Sequence, residues 1–409
     1  MRILIVTAAY PQNDVPEKAF IIEELRQFAE SGASVTLAPI RPVTRVDPDL
    51  PSGVAITEAY ARSFVRHRLP LAFLQSLFSR HVWRELLAAP RLALRARFWK
   101  EAIRVTQARA VFSKQTGLYD VFYTFWFTGD TIGLAEAGVG RLVTRAHGYD
   151  VYEDVPVNHA HIPFRRHYKA DIDQVITLSA QARDYFRRQF GWPEAKVTNI
   201  PLGVLAQHRI NPGPVEPDKV VFVSCAYPSP NKRLPLIGDV MSEFAARHPD
   251  LQVTWCHFGA TVSEVMPERP LPPNLVIDAC GEQPREHVLD FYADTGLTAF
   301  INLSLSEGQP VSMMEAMSFG IPVVATAVGG VPEMLSEGGG LLVGVTDDAK
   351  TIAERLDGVV EPVARRRLGQ QARDIQRKTF DARHNARQVR ELFSQLGSQE
   401  GERSVSIVP

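Results

Sequence analysis

Apolar runs alternate with helical patterns along most of the chain. At its start, an apolar run at 3–7, a helical pattern at 19–31 and a second apolar run at 34–39 form one strand–helix–strand unit. Further apolar runs, with helical segments between most of them, follow at residues 120–126, 141–146, 174–179 and 196–201. Strands that are apolar on both faces are typical of a parallel sheet covered by helices on both sides. The pattern therefore predicts an α/β domain.

The alternation stops and then resumes, which indicates a second domain. Residues 203–218 hold three prolines and two glycines and show almost no periodicity. Apolar runs and helical patterns then return in the same order, so we predict a second doubly wound sheet. The predicted divisions are a first Rossmann-like domain at 1–205, a linker at 206–218, a second Rossmann-like domain at 219–360, a helical region at 361–396 that packs back on the first domain, and a disordered tail at 397–409.

Length and composition agree with two globular domains and exclude several classes of protein. A chain of 409 residues exceeds what one hydrophobic core usually supports. With 45% hydrophobic residues and a formal net charge of -1, it has the composition of neither a disordered chain nor a protein that coats nucleic acid. Three widely spaced cysteines, a start without signal-peptide features and the lack of a long apolar run favour a cytoplasmic protein.

A basic and apolar segment interrupts the first domain. Residues 59–114 contain 12 lysines and arginines but only two acids, Glu85 and Glu101, and large apolar residues lie between them. Basic amphipathic helices of this kind lie in the headgroup region of anionic membranes. The alternative is that the apolar residues pack on the first domain while the arginines are solvated. Periodicity does not separate a membrane-surface or lipid-linked-acceptor site from this structural role.

The second domain carries the most informative segment, residues 304–326. Pro310 marks a helix start and Gly320 its end, so Glu307 lies in the loop before the helix and Glu315 about one turn inside it. The free amides of the helix start favour an anion or a hydroxyl-rich ring. A carboxylate beside them can accept two hydrogen bonds from a vicinal diol. For either glutamate alone, the favoured explanation is structural: an acid at a helix start complements the helix dipole, which is worth ~0.3–1 kcal/mol.

Other candidate residues lie where strands of the two predicted sheets end. Lys232 follows the first strand of the second domain, where a lysine can neutralise a diphosphate leaving group without a metal. Gly329 and Gly330 follow a later strand, where paired glycines let backbone approach a ligand closely. His147, with Asp150 beside it, follows a strand of the first domain. Open α/β sheets bind ligands at these ends, so the groups converge if the domains face each other. Each residue also has an ordinary structural explanation.

Three motifs together resemble those of a known family. Seven residues separate Glu307 from Glu315 in Glu-Gly-Gln-Pro-Val-Ser-Met-Met-Glu, residues 145–150 read Arg-Ala-His-Gly-Tyr-Asp, and residues 224–233 read Ser-Cys-Ala-Tyr-Pro-Ser-Pro-Asn-Lys-Arg. With these motifs the chain resembles the retaining glycosyltransferase family 4, and within it the bacterial exopolysaccharide, capsule and lipopolysaccharide branch. The resemblance covers nearly the whole chain. It implies the GT-B fold, with two facing Rossmann-like domains, parallel sheets and an interdomain cleft.

The resemblance also implies a role for each matching residue. Glu315 holds the ribose hydroxyls of a nucleotide-sugar donor, Glu307 holds the sugar hydroxyls near the reacting carbon, and Lys232 contacts the diphosphate. His147 lies close to the donor sugar, and Asp150 lies on the acceptor side. The remaining donor-binding residues implied by the resemblance are Gly308, Gln309, Pro310, Val311, Arg233, Gly329 and Gly330.

The sequence departs from the family pattern in two places. Tyr227 stands five residues before the lysine, where many members have an arginine, so neutralisation of the diphosphate falls to Lys232 with help from Arg233. The glycine pair that many members carry after the first strand is replaced by Tyr-Pro-Gln-Asn-Asp-Val-Pro at residues 10–16. The phosphate contact expected at that first loop is therefore in doubt.

The implied activity is retaining transfer of a hexose from a UDP- or GDP-linked sugar to a hydroxyl of a saccharide or lipid-linked acceptor, in bacterial surface polysaccharide biosynthesis. We expect no cofactor, no metal and no nucleic-acid partner, since the sequence shows no histidine cluster at metal-ligand spacing. A non-catalytic, sugar-nucleotide-binding assembly subunit stays open as an alternative. A Rossmann oxidoreductase is disfavoured because Gly-x-Gly-x-x-Gly does not follow the first strand.

Overall fold

The computed structural model describes residues 1–64, 69–155, 158–267 and 270–405, with side chains described as far as residue 397. It divides the chain into two compact units. Unit 1 comprises Met1–Pro201 together with the chain from Arg383 onward, and unit 2 comprises Leu202–Ala382.

Both units consist of strands joined mainly by helices. The strands are β1 (Arg2–Thr7), β2 (Ser34–Pro39), β3 (Ala55–Ile56), β4 (Val121–Thr124), β5 (Leu142–Ala146), β6 (Gln174–Thr177), β7 (Val197–Asn199), β8 (Lys219–Cys225), β9 (Gln252–Phe258), β10 (Leu275–Gly281), β11 (Ala299–Asn302), β12 (Val323–Thr326) and β13 (Gly340–Val343). The helices are α1 (Lys18–Glu30), α2 (Leu69–Leu77), α3 (Arg80–Ala88), α4 (Ala96–Phe112), α5 (Gly129–Ala137), α6 (Ala180–Phe190), α7 (Leu234–Arg247), α8 (Val262–Val265), α9 (Arg285–Asp294), α10 (Val311–Ser318), α11 (Val331–Met334), α12 (Ala349–Val360), α13 (Pro362–Thr379) and α14 (Ala382–Val405).

Within the described residues, unit 1 has a seven-stranded sheet in the order β3-β2-β1-β4-β5-β6-β7, and its neighbouring strands are parallel. The apolar run predicted at 120–126 is longer than the strand it forms, Val121–Thr124. Its last residues, including Phe125 and Trp126, leave the sheet at its carboxyl edge. The predicted parallel α/β domain is therefore confirmed, and the ends of the apolar runs supply loop residues.

Alternate residues of β1 face two hydrophobic cores of unit 1. Leu4 and Val6 pack with residues of α4, α5 and α6. Ile3 and Ile5 pack on the opposite face with residues of α1 and α14. Because both faces of the strand are buried, it carries no polar alternation.

The C-terminal helical region divides between the two units. α13 belongs to unit 2, where Leu368 joins the hydrophobic core. α14 packs on unit 1, where the ring of Phe393 stacks on Phe28 at a centroid distance of 5.2 Å and meets Tyr123 edge-on at 5.2 Å. The tail predicted to be disordered, 397–409, lies outside the described side chains from residue 398 onward.

Unit 2 has a six-stranded parallel sheet, counted over the residues that the structure describes, in the order β10-β9-β8-β11-β12-β13. The predicted linker at 206–218 belongs to this unit and contains no helix or strand. The carboxyl ends of β8, β11 and β12 lie side by side because these strands are parallel neighbours. Loops that follow them therefore meet at one edge of the sheet.

Candidate active site

The loop and helix that carry the paired glutamates follow β11 in unit 2. α10 begins at Val311 directly after Pro310, and Gly320 lies beyond its end with a φ of 74°, as the sequence predicted. Glu307 therefore precedes the helix and Glu315 is its fifth residue. The first amides of a helix have no partner within it, and the helix dipole adds to their attraction for an anion.

Lys232 and Glu307 form an ion pair at this edge of the sheet. Nζ of Lys232 lies 2.5 Å from Oε1 of Glu307, and the two side chains are 27% and 11% exposed. Asn302, the last residue of β11, donates to the same carboxylate oxygen at 3.4 Å. Asn231 holds the two loops together, because its side chain donates to the Ser306 carbonyl at 3.0 Å. The residues predicted to bind the diphosphate and the sugar, Lys232 and Glu307, therefore lie together. Asn302 and Asn231 belong to the same cluster and were not predicted.

Gly329 and Gly330 support the Glu307 loop by close backbone packing. A Cβ at Gly329 would lie 1.7 Å from the carbonyl oxygen of Glu307, and one at Gly330 would lie 2.3 Å from that of Gly308. The amide of Gly330 also donates to the Gly308 carbonyl at 3.0 Å. The sequence predicted that these glycines let backbone approach a ligand. In the structure, what approaches them is the loop that carries Glu307, and a side chain at either position would displace it.

Glu315 is buried and paired with a residue that the sequence did not single out. Nε of Arg285, the first residue of α9, lies 2.6 Å from Oε1 of Glu315. Burial raises the pKa of Glu315, and Arg285 opposes this shift. Burial also raises the pKa of Cys225 to about 12, with Glu315 raising it further and Lys232 lowering it. The end of β8 therefore lies within electrostatic reach of both the lysine and the second glutamate.

Gln309 and Arg233 differ in how their polar atoms are used. Gln309 is 6% exposed, yet its amide oxygen and nitrogen find no partner among the described residues. Buried amides are rarely left without hydrogen bonds, so this side chain is suited to bind a polar ligand. Arg233 uses two nitrogens on carbonyl oxygens, of Leu303 at 2.5 Å and of Val345 at 2.8 Å. Its predicted help to Lys232 would have to come from Nη2, which is buried and has no partner within the described chain.

His147 lies just beyond β5 in unit 1 and is 7% exposed. Asp150 fixes its loop, because Oδ1 accepts from the amide of His147 at 2.6 Å and Oδ2 from that of Phe127 at 3.1 Å. Both ring nitrogens of His147 lack a hydrogen-bond partner in the described part of the chain, and its Nδ1 is 3.8 Å from the Asp150 carboxylate. Burial lowers the pKa of His147, with Asp150 acting in the other direction. A neutral imidazole is therefore favoured at neutral pH.

An aromatic stack leads from His147 to the surface of unit 1. The ring of Trp126 lies 4.0 Å from that of His147 and is stacked on Tyr149 at 5.6 Å with an interplanar angle of 30°. Tyr149 is 39% exposed. No local pattern joins these residues, since Trp126 follows β4 and Tyr149 follows β5. The parallel order of the two strands brings them together.

Glu17 binds the loop after β1, where the sequence departs from the family pattern. Its carboxylate accepts from the consecutive amides of Ala8, Ala9 and Tyr10 at 2.9, 2.7 and 2.8 Å. It also accepts from the indole of Trp126 at 2.6 Å. Three converging amides form an anion-binding concavity. Here the protein fills it with its own carboxylate, which agrees with the doubt about a phosphate contact at this loop.

The basic segment, of which residues 65–68 lie outside the described chain, has a buried side and an exposed side. Val82, Leu92 and Phe98 are at most 3% exposed and join a core of unit 1. Phe78 and Leu94 are 87% and 90% exposed. The other large apolar side chains exposed on α2 and α3 are Leu71, Leu74, Trp83 and Leu87. Both interpretations of the segment thus account for part of it. No helix in the described ranges is long and apolar enough to cross a bilayer.

The described residues contain no group of three histidines, cysteines or acids placed to hold a metal ion. In the Asp-x-Asp pairs at 47–49 and 171–173, three of the four carboxylates have a structural partner in unit 1. Asp47 and Asp49 both bind Nζ of Lys18, at 2.9 and 2.7 Å, and Asp173 accepts from the amide of Leu142 at 2.8 Å.

Comparison with known proteins finds a family model that matches part of the chain and solved structures that match nearly all of it. Residues 268–375 match the family model described as glycosyl transferases group 1. This range includes both glutamates, the glycine pair and Arg285. The chain is also similar to a solved structure of sucrose-phosphate synthase from Thermosynechococcus elongatus, with a TM-score of 0.68, 18% identity and coverage of 98% of this chain and 100% of that one. The fold is thus that of GT-B glycosyltransferases, with two Rossmann-like parallel sheets.

Two curated proteins are similar in sequence to part of the chain. A GDP-mannose-dependent alpha-(1-6)-phosphatidylinositol monomannoside mannosyltransferase from Mycolicibacterium smegmatis is 28% identical over 237 residues, 53% of this chain and 60% of that protein. A component of the phosphatidylinositol N-acetylglucosaminyltransferase from Arabidopsis thaliana is 28% identical over 173 residues, 41% of this chain and 38% of that protein. The matched region therefore spans 60% or less of each relative.

Proposed function

We propose that this chain is a retaining glycosyltransferase of the family 4 type, which moves a hexose from a nucleoside-diphosphate sugar to an acceptor hydroxyl. The observation that carries the proposal is the Lys232–Glu307 ion pair at the start of α10. Glu315 lies in the same helix, separated from Glu307 by seven residues. Taken together, one cation, free helix amides and two carboxylates match the phosphates and the two diols of such a donor. The group 1 match covers Glu307, Glu315 and α10, but not Lys232, and supports the assignment.

The donor would replace contacts that the protein now makes with itself. On binding, the diphosphate takes over Lys232 and the first amides of α10, and Glu307 becomes able to accept hydrogen bonds from the hexose. Glu315 accepts from the ribose hydroxyls, and Gln309 supplies a buried amide to a sugar hydroxyl. The ion pair keeps Lys232 and Glu307 in place beforehand, so little rearrangement is required when the donor arrives.

The transfer itself would depend on stabilising the leaving diphosphate. The bond from the anomeric carbon to the diphosphate oxygen breaks while the acceptor oxygen attacks on the same face, and the acceptor proton passes to the departing oxygen. Negative charge then develops beside Lys232 and the helix start, which are preorganised to stabilise it. The neutral His147 ring, with two nitrogens available for hydrogen bonds, is suited to a hydroxyl on the acceptor side. We propose that no metal takes part.

The acceptor would be a saccharide or a lipid-linked saccharide at an anionic membrane surface. The exposed apolar residues of α2 and α3 lie among arginines, such as Arg80 and Arg84, that are themselves exposed, and this combination suits anionic headgroups. The names of both curated relatives refer to phosphatidylinositol lipids. With the resemblance to bacterial polysaccharide enzymes, this supports work at the cytoplasmic face of a membrane in surface polysaccharide biosynthesis.

A donor panel with matched variants tests the activity. Thermal shifts with UDP-, GDP- and ADP-linked hexoses identify the donor, since a ligand at 100 times its Kd stabilises by ~2.7 kcal/mol. Lys232→Ala and Glu307→Ala should each lower turnover by at least ~10²-fold, whereas Lys219→Ala, an exposed lysine at the start of β8, should not. Turnover should persist in excess chelator. Unchanged rates in both site variants would refute these roles, and donor binding without hydrolysis or transfer would favour the non-catalytic assembly subunit.

A further inference from the structure

The guanidinium of Arg285 has one edge that the protein does not use. Its Nε donates to Oε1 of Glu315 at 2.6 Å, whereas neither Nη group has a hydrogen-bond partner among the residues that the structure describes. The Arg285 side chain is 48% exposed and that of Glu315 is 9% exposed. The buried carboxylate therefore fixes the arginine, and two parallel N–H donors remain available to a ligand.

Strand order places this free edge on one side of the proposed donor site. Lys232 follows β8, and the start of α10 follows β11, the neighbour of β8 in the sheet. Arg285 begins α9, which follows β10, and β9 separates β10 from β8. In a donor with its diphosphate at Lys232 and its ribose on Glu315, the base lies beyond the ribose, away from Lys232. Arg285 reaches Glu315 from that side, so the part of the donor nearest its free edge is the base.

The end of β10 also provides an acceptor. Glu282 lies three residues before Arg285 and is exposed. The hydroxyl of Tyr227, which follows β8, donates to Oε1 of Glu282 at 3.1 Å, and Oε2 has no partner in the described part of the chain. This contact joins the ends of β8 and β10. A base at this place therefore meets donors from Arg285 and an acceptor from Glu282.

The bases of GDP-, ADP- and UDP-linked sugars differ in the edge that they present. Guanine has two adjacent acceptors, O6 and N7, which an arginine can contact with both Nη groups. It also carries N–H donors at N1 and N2, which suit a carboxylate. Adenine has an amino group in place of O6, so a donor would face a donor. Uracil has O4 but no second acceptor beside it, so an arginine gains only one hydrogen bond.

We propose that Arg285 selects a guanosine-linked donor, with its Nη groups donating to O6 and N7 of the base and with Glu282 accepting from N1. The inference deepens the proposed function and rests on it, because the ribose must lie on Glu315 for the base to reach Arg285. The ion pair with Glu315 holds the guanidinium before the donor arrives, so little side-chain freedom is lost on binding.

Calorimetric titration with GDP, UDP and ADP tests this selection. GDP should bind the unaltered chain at least ~10-fold more tightly than UDP or ADP, a discrimination that one bidentate pair can provide. The analogue 7-deaza-GDP, which keeps O6 but lacks the N7 acceptor, should bind ~5-fold more weakly than GDP. Arg285→Ala should remove both differences, and Glu282→Ala should weaken the binding of GDP but not of ADP. Arg209→Ala, which removes an exposed arginine paired with Asp290 and Asp294 of the same helix, is the matched control and should keep both differences.

Arg285→Lys separates base selection from the effect of Arg285 on the Glu315 carboxylate. Lysine keeps a positive charge there but has no two-donor fork, so UDP and ADP should bind within ~2-fold of their affinity for the unaltered chain while the preference for GDP is lost. An equal loss of GDP, UDP and ADP binding in Arg285→Ala would show that Arg285 acts only through Glu315 and would overturn the proposal. Tighter binding of UDP or ADP than of GDP would overturn it as well, while leaving the proposed function in place. If none of the three nucleotides binds, the proposed function itself fails, and this inference fails with it.

Discussion

Replacing Arg145 by methionine should destabilise unit 1 by about 3–5 kcal/mol. The Arg145 side chain is buried; it donates to Glu24 at 2.5 Å, to the Tyr123 hydroxyl at 2.9 Å and to the Ile200 carbonyl at 3.2 Å. Breaking a buried ion pair by removing one partner costs about 3–5 kcal/mol, because the remaining charge stays buried without a counter-ion. Methionine fills much of the space that the aliphatic part of Arg145 occupies, so the loss of stability comes mainly from the unpaired Glu24 carboxylate.

The penalty should depend on pH in a defined direction. Burial raises the pKa of Glu24 in the folded chain, and Arg145 opposes this shift. Without Arg145 the folded pKa rises further. A carboxyl with a raised folded pKa stabilises the fold fully below its unfolded pKa, about 4.3, and this contribution is lost as pH rises through the folded pKa. The destabilisation by Arg145→Met should therefore be larger at pH 7 than at pH 5.

Urea unfolding followed by tryptophan fluorescence measures this effect. Four of the five tryptophans lie in unit 1, and Trp255→Phe removes the fifth, so the signal then reports on unit 1 alone. Glu24→Gln combined with Arg145→Met should be less unstable than the sum of the single variants, because the orphaned charge is gone. Arg187→Met, which breaks an exposed pair with Glu194, should cost below ~1 kcal/mol. A loss under ~1 kcal/mol for Arg145→Met, or strict additivity in the double variant, would refute the reasoning.

Three further predictions concern Gly329, Arg285 and His147. Gly329→Ala should lower the rate of sugar transfer at least ~10-fold, because its Cβ would collide with the Glu307 carbonyl. Gly281→Ala is the control: this glycine also has a positive φ but a Cβ there would have no neighbour within 4 Å, so the rate of transfer should be kept. Equal losses in the two variants would show that backbone strain alone matters. Arg285→Ala should weaken nucleoside-diphosphate binding more at pH 6 than at pH 8. Arg285 opposes the rise that burial causes in the pKa of Glu315, so without it more of this carboxylate is protonated at the lower pH. Stronger binding in calorimetry would mean that Arg285 competes with the ribose. Because burial lowers the pKa of His147 from its ordinary value of about 6.5, protonation of this ring should lower kcat/KM at pH 6.5 by less than the roughly twofold fall expected of an unshifted histidine. A twofold or larger fall between pH 7.5 and 6.5 that His147→Gln removes would contradict this.

The parallel sheets and the paired glutamates were predictable because both depend on patterns within short segments of the sequence. β2 has the bounds of its apolar run, and Pro310 and Gly320 mark the ends of α10 in the sequence itself. The distance from Glu307 to Glu315 is a property of one loop and one helical turn. Local spacing therefore fixes it, and no distant part of the chain has to be known.

Residues that were missed owe their place to strand order, which local pattern does not encode. Glu17, Trp126 and Tyr149 come from three separate loops, and they meet because β4 lies between β1 and β5. Arg285 reaches Glu315 from α9, 30 residues away in the chain. Each pairing needs the sheet to be assembled before it can be seen.

The two glycines after β12 show how one sequence signal supports two different structural roles. Paired glycines at a strand end predict a close backbone approach, and the approach is present; its partner is the protein's own loop at Glu307 and Gly308. Glu17 gives the converse case, in which converging amides that would suit a phosphate hold a carboxylate of the same chain. In both places the fold satisfies internally a feature that would otherwise suit a ligand. The groups that it leaves unsatisfied, the Gln309 amide and the His147 ring, are therefore the stronger guides to where a substrate binds.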